Sequence, residues 1–392
     1  MKFVDLFAGL GGFRVALESL GHECVASSEI DGALRDLYDL NFPHGPPCEG
    51  DIREMKSRIP PHDILCGGFP CQPFSKAGAQ VGIKDRVRGT LFWDILDILD
   101  QHQPQYVLLE NVGNFPRHDN GRTWRVAKQA LVELGYEVYA TEHVSTGGVG
   151  LVSPHHLGFP HHRERFFIVG SRTRLTHNPF PQRTHAEPSV RDVVQSWREL
   201  SESDREETTL RSDLVECIHH WNEFLAAVSD TCLVPRHPIW SSEIDSTEPT
   251  DDMPKWKANL TERNRTFWRT VADVLPSGWV EKLREFKPSR RKLEWNCFGG
   301  EPDLWQHVLQ FRPSGLRAKH YTSIPALVSI ENQCPILGPE RRYLTRTEGL
   351  RLQGLPDNFQ LPEKRYLAFR ALGNAVHAGV ITQIASLSFA RG

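Results

Sequence analysis

Apolar positions in the first 170 residues alternate between two rhythms. Short apolar runs read as strands at 2–6, 22–27, 63–66, 105–109, 136–144 and 165–169. Between them, apolar residues recur at helical spacing: Phe13, Ala16, Leu17 and Leu20 before a stop at Gly21, then 91–99 and 124–134. Repeated strand–helix units of this length predict a doubly wound, mostly parallel sheet, whose ligands sit at the carboxyl ends of the strands. The rhythm is lost after Ser171. Residues 171–340 hold most of the tryptophans and many prolines, and a helical pattern returns from 343 to 384. We therefore expect domains at 1–170 and 171–340, with 341–392 returning to the first.

Composition changes this picture little. The 392 residues are 39% hydrophobic and 24% charged, as in an ordinary globular protein. No apolar stretch approaches the ~18 residues of a membrane helix, and Asp5 and Arg14 interrupt any signal-peptide core. An intracellular protein is expected. The eight cysteines are scattered without a CxxC pair, so free thiols are expected. The net charge of −3 conceals a division. Residues 198–252 carry four basic and fourteen acidic groups, whereas 253–292 carry eleven and four. Between 312 and 370 the count is ten against five. The basic stretches have the character that phosphates demand. By charge alone they fit a solvated face equally well.

Four groups of residues carry candidate chemistry. The first is the turn Ala8-Gly9-Leu10-Gly11-Gly12 after a strand, with Glu29 just past the next strand. Its glycines let backbone approach a ligand, and Glu29 can accept both hydroxyls of a ribose. The turn has no Lys, Ser or Thr for phosphate, so a ribose ligand without pyrophosphate fits better, commonly S-adenosylmethionine. A tight packing turn is the alternative. The second is Gly67-Gly68-Phe69-Pro70-Cys71-Gln72-Pro73-Phe74-Ser75. A cysteine between prolines at a strand end is well placed to face a cleft, although most lone cysteines are core residues. As a nucleophile it needs nearby positive charge to favour the thiolate. Arg163 and Arg165, two residues apart in the third group, His161-His162-Arg163-Glu164-Arg165, can supply it. The fourth is Glu110 in Glu110-Asn111-Val112, a carboxyl able to bind a ring nitrogen and an exocyclic amine together, the polar edge of cytosine. His155, His156, His161 and His162 lack a carboxylate or cysteine at ligand spacing, so no metal is expected.

In this order the motifs resemble those of the DNA (cytosine-5)-methyltransferases of bacterial restriction–modification systems. Residues 5–13 resemble the first motif of the family, 67–75 its PCQ nucleophile motif, 110–112 its ENV motif and 163–165 most of its QxRxR motif. Arg342-Tyr343-Leu344-Thr345 with Glu348, Arg351-Leu352-Gln353-Gly354 and Pro356 resemble its ninth motif, and Gly373-Asn374-Ala375-Val376 its tenth. The similarity covers roughly 1–170 and 340–385.

The resemblance implies a Rossmann-like α/β catalytic domain with a smaller, irregular α+β target-recognition domain. It implies that Cys71 attacks carbon 6 of a flipped cytosine in double-stranded DNA, while Glu110, Arg163 and Arg165 hold the base. The methyl donor is S-adenosylmethionine, leaving S-adenosylhomocysteine. Phe7, Gly9, Gly11, Glu29, Asp51, Pro70, Leu91 and Asn374 align with cofactor contacts, with Leu10, Gly12, Ile30, Ile52 and Ala375 beside them. Residues 72–88 have the glycines and cations of a loop that closes on DNA, through Gln72, Ser75, Arg86 and Arg88. A monomeric, cytoplasmic bacterial enzyme with a separately acting cognate restriction endonuclease is the family default. The chain departs from the pattern in several places. His161 stands where the family usually has Gln, Ile30 where a tryptophan often stacks on adenine, and Ala371 where Gln is frequent. One extra residue lies between Asp85 and Gly89. A tRNA-methylating branch of the family carries a Cys-Phe-Thr signature. Cys297-Phe298-Gly299 is not that, and the long 171–340 region favours duplex reading.

Overall fold

The computed structural model describes residues 1–70, 91–142, 150–184, 188–230, 233–247, 251–327 and 333–389. They form two compact units, Met1–Pro188 with Gly349–Gly392, and Ser189–Glu348.

The first unit begins with strands β1 (Lys2–Leu6), β2 (Glu23–Ser28), β3 (Ile64–Gly68), β4 (Tyr106–Val112) and β5 (Glu137–Ala140), the two-residue β6 (His161–His162), and β7 (Arg165–Ser171). Helices α1 (Gly12–Ser19), α2 (Gly32–Asn41), α3 (Ile52–Met55), α4 (Leu91–His102) and α5 (Arg122–Glu133) are interleaved with them. The sheet runs β2-β1-β3-β4-β7-β5. β1 is parallel to β2 and β3, and β3 to β4, but β7 is antiparallel to both β4 and β5. The expected parallel sheet is therefore mixed on one side. A parallel neighbour needs a helical crossover, and no α-helix lies among the described residues between β5 and β7.

The antiparallel pairing also corrects a boundary. β4 does not stop at Leu109, because Glu110, Asn111 and Val112 pair with Phe167, Phe166 and Arg165. Glu110 thus lies within the strand. β5 ends at Ala140, short of the expected 144, and residues 143–149 lie outside the described set. The core is built as the periodicity dictates. Phe92, Ile95, Leu96 and Leu99 form one face of α4, and Trp124, Ala127 and Leu131 one face of α5. They cluster with Leu6, Leu65, Leu109 and Ile168 of the sheet. Each large side chain so buried contributes about 1.5–3 kcal/mol.

One buried group opposes this. Asp5, in the middle of β1, is fully buried, and burial raises its carboxyl to about 8 against the opposing pull of Arg14. Only Tyr38 donates to it, at 3.3 Å. The unfolded chain loses this proton near pH 4, whereas the folded chain holds it up to about 8. Its stabilising contribution is thus complete below pH ~4 and is lost as pH rises to ~8, at up to ~1.4 kcal/mol per pH unit. Asp5→Asn removes that slope. Urea unfolding at pH 5 and pH 8 is expected to show the variant gaining stability over wild type at the higher pH. An unchanged difference would mean that Asp5 is ionised in the fold.

The second unit contains α6 (Glu202–Thr208), α7 (Ser212–Ser229), α8 (Lys255–Val271) and α9 (Trp279–Glu285). Its strands are β8 (Ile239–Trp240), β9 (Lys292–Asn296), β10 (Val308–Arg312), β11 (Gly315–Lys319), the short β12 (Ile324–Pro325), β13 (Ile336–Leu337) and β14 (Arg342–Tyr343). The sheet order is β14-β13-β10-β11-β9-β8. The chain then enters α10 (Arg346–Leu352), α11 (Arg365–Asn374) and α12 (Ala378–Ser388).

Two findings here revise the charge reading. The acidic stretch 198–252 also supplies core. Its helix α7 buries Cys217, Ile218, Trp221, Phe224, Leu225 and Val228 completely, at the centre of the unit's core with Trp268, Trp279 and Trp295. Its carboxylates also neutralise the basic stretch. Arg265 pairs with Glu243 at 3.1 Å, Lys282 with Glu216 at 2.8 Å, Arg290 with Asp213 at 2.8 Å, and Arg284 with Asp245. Part of the sign reversal along the sequence is therefore internal pairing. Lys255, Trp256 and Lys257 remain exposed together at the start of α8, with Trp256 67% accessible.

Candidate active site

The first unit brings three strand ends to one place. In register, Gly68 of β3 lies beside Glu110 of β4, and Val112 of β4 beside Arg165 of β7. A methyl group added to Gly68 would stand 3.4 Å from Glu110 Oε2 and 3.2 Å from Val376 Cγ2, so the absent side chain leaves room at the carboxylate. Phe69 is buried, and its carbonyl accepts from Asn111 Nδ2 at 2.9 Å. Pro70, next along, is exposed. Cys71, Gln72, Ser75, Arg86 and Arg88 lie outside the described residues.

Glu110 is 7% accessible. Arg165 Nε stands 2.8 Å from its Oε1, yet that oxygen accepts no hydrogen bond. The contact is therefore a charge pairing off the N–H axis, and a buried carboxylate lone pair is left for another donor. Arg163 is more deeply buried, at 3%. Its Nη1 donates to the Gly373 carbonyl at 2.7 Å and its backbone N–H to Ser153 Oγ at 2.8 Å, while Nε has no partner. Burial, then the charge of Arg165, pulls this guanidinium down to about 9, opposed by Glu110. It remains protonated at neutral pH. Two cations and one carboxylate thus share a poorly solvated site, where fixed charges act strongly.

His161 is wholly buried, and its Nδ1 meets the Leu352 carbonyl at 2.8 Å. It ties the segment before Arg163 to the end of α10. Burial first, then His377 and Arg163, keeps this ring neutral. His377, pushed down to about 3 mainly by burial, accepts from Val380 N–H and caps α12.

The glycine loop lies in the same unit. Phe7 (φ 57°), Gly9 (φ 53°) and Gly11 (φ 79°) bend the chain sharply after β1. Any side chain at Gly12 would strike the Val376 carbonyl, so this glycine lets the loop close on residues 374–376. Glu29 holds the loop through both oxygens, accepting from Gly9 N–H at 2.9 Å and Asp31 N–H at 2.9 Å. Ile30 beside it is 71% exposed. Asp51 caps α3 and pairs with Arg53. The side chains of Leu10 and Ile52 are buried, so only their backbone faces a ligand. Leu91 opens α4 half-buried, Asn374 ends α11 exposed, and Ala375 is buried.

Comparison with known proteins decides what this arrangement belongs to. The family model "C-5 cytosine-specific DNA methylase" matches residues 1–388. The chain belongs to the C-5 cytosine-specific DNA methylases. It is 32% identical to the type II methyltransferase M.AluI of Cellulosimicrobium cellulans, over 98% of this chain and 91% of that protein. It is 40% identical to M.HpaII of Haemophilus parainfluenzae, over 95% of this chain and 85% of that one. A prophage-encoded DNA modification methyltransferase from E. coli shares the fold, with a TM-score of 0.56 at 18% identity over 99% and 98% of the two chains. The α/β methyltransferase fold expected from the motifs is therefore present.

Some residues of this methylase site went unread in the sequence. Asn111 pins Phe69, two residues before Cys71, and its place directly after Glu110 was the available signal. Ser153 and Gln353, whose amide donates to the Leu372 carbonyl, brace Arg163 and the end of α11. Gln353 stands in the stretch 351–354 that resembles the ninth motif, whereas nothing in the local sequence marks Ser153.

Proposed function

We propose that this methylase transfers a methyl group from S-adenosylmethionine to carbon 5 of a flipped cytosine within a specific double-stranded DNA site, through a covalent adduct with Cys71. The observation that carries the reading is the buried, unpartnered Glu110 oxygen between Arg163 and Arg165, on the strand beside the one that leads to Cys71.

Glu110 offers that oxygen to the N3–N4 edge of cytosine, and Arg165, paired with the same carboxylate, supports the base and the negative charge that develops on it. Cys71 forms a carbon–sulfur bond at C6, and the ring electron pair shifts to C5. S-adenosylmethionine supplies an electrophilic methyl. Loss of the C5 proton then returns the electron pair and expels the thiolate. The base reaches these groups only outside the helical stack. Gln72, Ser75, Arg86 and Arg88 are the proposed DNA contacts.

Fit for the donor rests on the loop. Gly9, Gly11 and Gly12 bring backbone to the ligand, and Glu29 keeps lone pairs for the ribose. Exposed Ile30 gives an apolar surface to the adenine in place of an aromatic ring, and Phe7, Asp51, Ile52, Pro70, Leu91, Asn374 and Ala375 complete the surround. Because Glu29 also fastens Gly9 and Asp31, Glu29→Ala is expected to weaken S-adenosylmethionine binding by about 1–3 kcal/mol. Calorimetry with unchanged affinity would place the ribose elsewhere.

The unit Ser189–Glu348 selects the DNA sequence, with Lys255, Trp256 and Lys257 as its exposed cation–aromatic group. The enzyme acts as a monomer beside a separate restriction endonuclease. No described helix is long and apolar enough to cross a membrane. Bisulfite sequencing of DNA from cells expressing the protein tests the function directly. Protected cytosines are expected at one short sequence, and a pattern matching empty-vector cells refutes the reading.

A further inference from the structure

Three adjacent strands of the second unit end in residues that bind metals. Asn296 of β9 pairs with Lys319 of β11, which pairs with Val308 of β10. One register step beyond that row stand Cys297, His320 and His307. The alternation of each strand points them to the same face. Leu293 and Trp295 precede Cys297 inward, Leu316 and Ala318 precede His320, and Leu309 and Phe311 follow His307. Sγ and one nitrogen of each imidazole accordingly lie within 4.8 Å of one another. The turn after Cys297 wraps beneath both rings. Gly300 N–H donates to the Cys297 carbonyl at 3.0 Å, and a methyl at Gly300 would meet His307 Cε1 at 3.0 Å and His320 Cε1 at 3.1 Å.

An ordinary packed core does not account for His307. It is 4% accessible, and its Nε2 lies 2.8 Å from the Glu301 carbonyl. A carbonyl only accepts, so Nε2 carries the proton and Nδ1 presents a bare lone pair. That buried Nδ1 has no partner. An imidazole fixed by a backbone carbonyl on one nitrogen and open on the other is the arrangement metal ligands adopt.

We propose that Cys297, His307 and His320 bind one Zn2+ ion. Thiolate with two imidazoles suits zinc, and tetrahedral bonds of about 2.0–2.3 Å need only a small inward movement of the three groups. The fourth position is taken by water. The Cys297 thiol loses its proton to solvent on binding, and His307 and His320 bind as neutral rings, so one proton is released per metal. The ion ties together the ends of β9, β10 and β11. It plays no part in the methyl-transfer chemistry. No short motif marks the ligands, because Cys297 and His307 are ten residues apart, His307 and His320 thirteen, and they converge only through strand register.

Protein stripped with a chelator and titrated with Zn2+ against a chromophoric competitor is expected to bind one equivalent. Replacement by Co2+ should produce a thiolate-to-cobalt charge-transfer band that persists in Cys71→Ser and vanishes in Cys297→Ser. His320→Ala removes the most accessible ligand with little loss of packing, so it should fold by circular dichroism yet bind Zn2+ about tenfold or more weakly. Metal removal should lower the Tm of wild type and leave that of His320→Ala unchanged. Absence of stoichiometric uptake by wild type, equal affinity in His320→Ala, or a cobalt band surviving in Cys297→Ser overturns the proposal.

Discussion

Replacement of Cys71 by serine is expected to lower methyl transfer by at least about 10³-fold while DNA binding persists. A serine hydroxyl is hardly ionised at neutral pH, whereas a thiol near cationic groups is substantially thiolate. In the proposed mechanism Arg163 and Arg165 are the cations that favour the thiolate, and the Gly373 carbonyl holds Arg163. Binding of the duplex depends on phosphate contacts that the substitution leaves alone. The companion result concerns trapping. With DNA containing 5-fluorocytosine, wild type should form an adduct that survives denaturation, since fluorine cannot leave carbon 5 as a proton does. The serine variant should form none. A serine variant with near-wild-type turnover would remove covalent catalysis from the mechanism.

The second large effect is expected at Glu110. Glu110→Gln preserves shape but places an amide where the buried carboxylate oxygen now has no hydrogen-bond donor. Half of the orientations of that amide set N–H groups against the cytosine amine, and all of them leave Arg165 without its counter-charge. A loss of about 10²–10³-fold in kcat/KM follows, the scale of removing one preorganised electrostatic contact. Binding of the methyl donor should be unchanged, because Glu29 and the glycine loop lie on other strand ends. Parallel loss of donor affinity would show that the substitution has disturbed the sheet instead.

Strands β1 to β4 and β7 were legible because each buries a short apolar run, and α4 and α5 because their apolar faces keep a 3.6-residue period. Of the candidate site, Glu110 and Arg165 are brought together as their motifs suggested, with Arg163 buried nearby, while Cys71 lies outside the described residues. What escaped was whatever depends on pairing across distance. The reversed direction of β7 leaves no mark in a single apolar run, yet it extends β4 to Val112 and sets Arg165 opposite the residue after Asn111. The acidic and basic stretches looked like separate surfaces. Only the fold shows Asp213, Glu216, Glu243 and Asp245 meeting Arg290, Lys282, Arg265 and Arg284. The second unit's core was not legible from its tryptophan count alone. Trp268, Trp279 and Trp295 lie there, and Trp256 stands out from it.

The contact between Gly12 and Val376 has a consequence for how the protein comes into being. The loop at Gly12 leaves the ribosome well before its packing partner Val376, with the whole of Ser189–Glu348 made in between. Throughout the intervening synthesis, including all of Ser189–Glu348, the nascent loop lacks the backbone against which it closes. Arg163 waits equally for the Gly373 carbonyl. A chain interrupted during translation, or clipped before residue 373, therefore carries every reacting side chain named above and still cannot assemble them. The order of synthesis makes the arrival of residues 373–376 a condition for assembling the site.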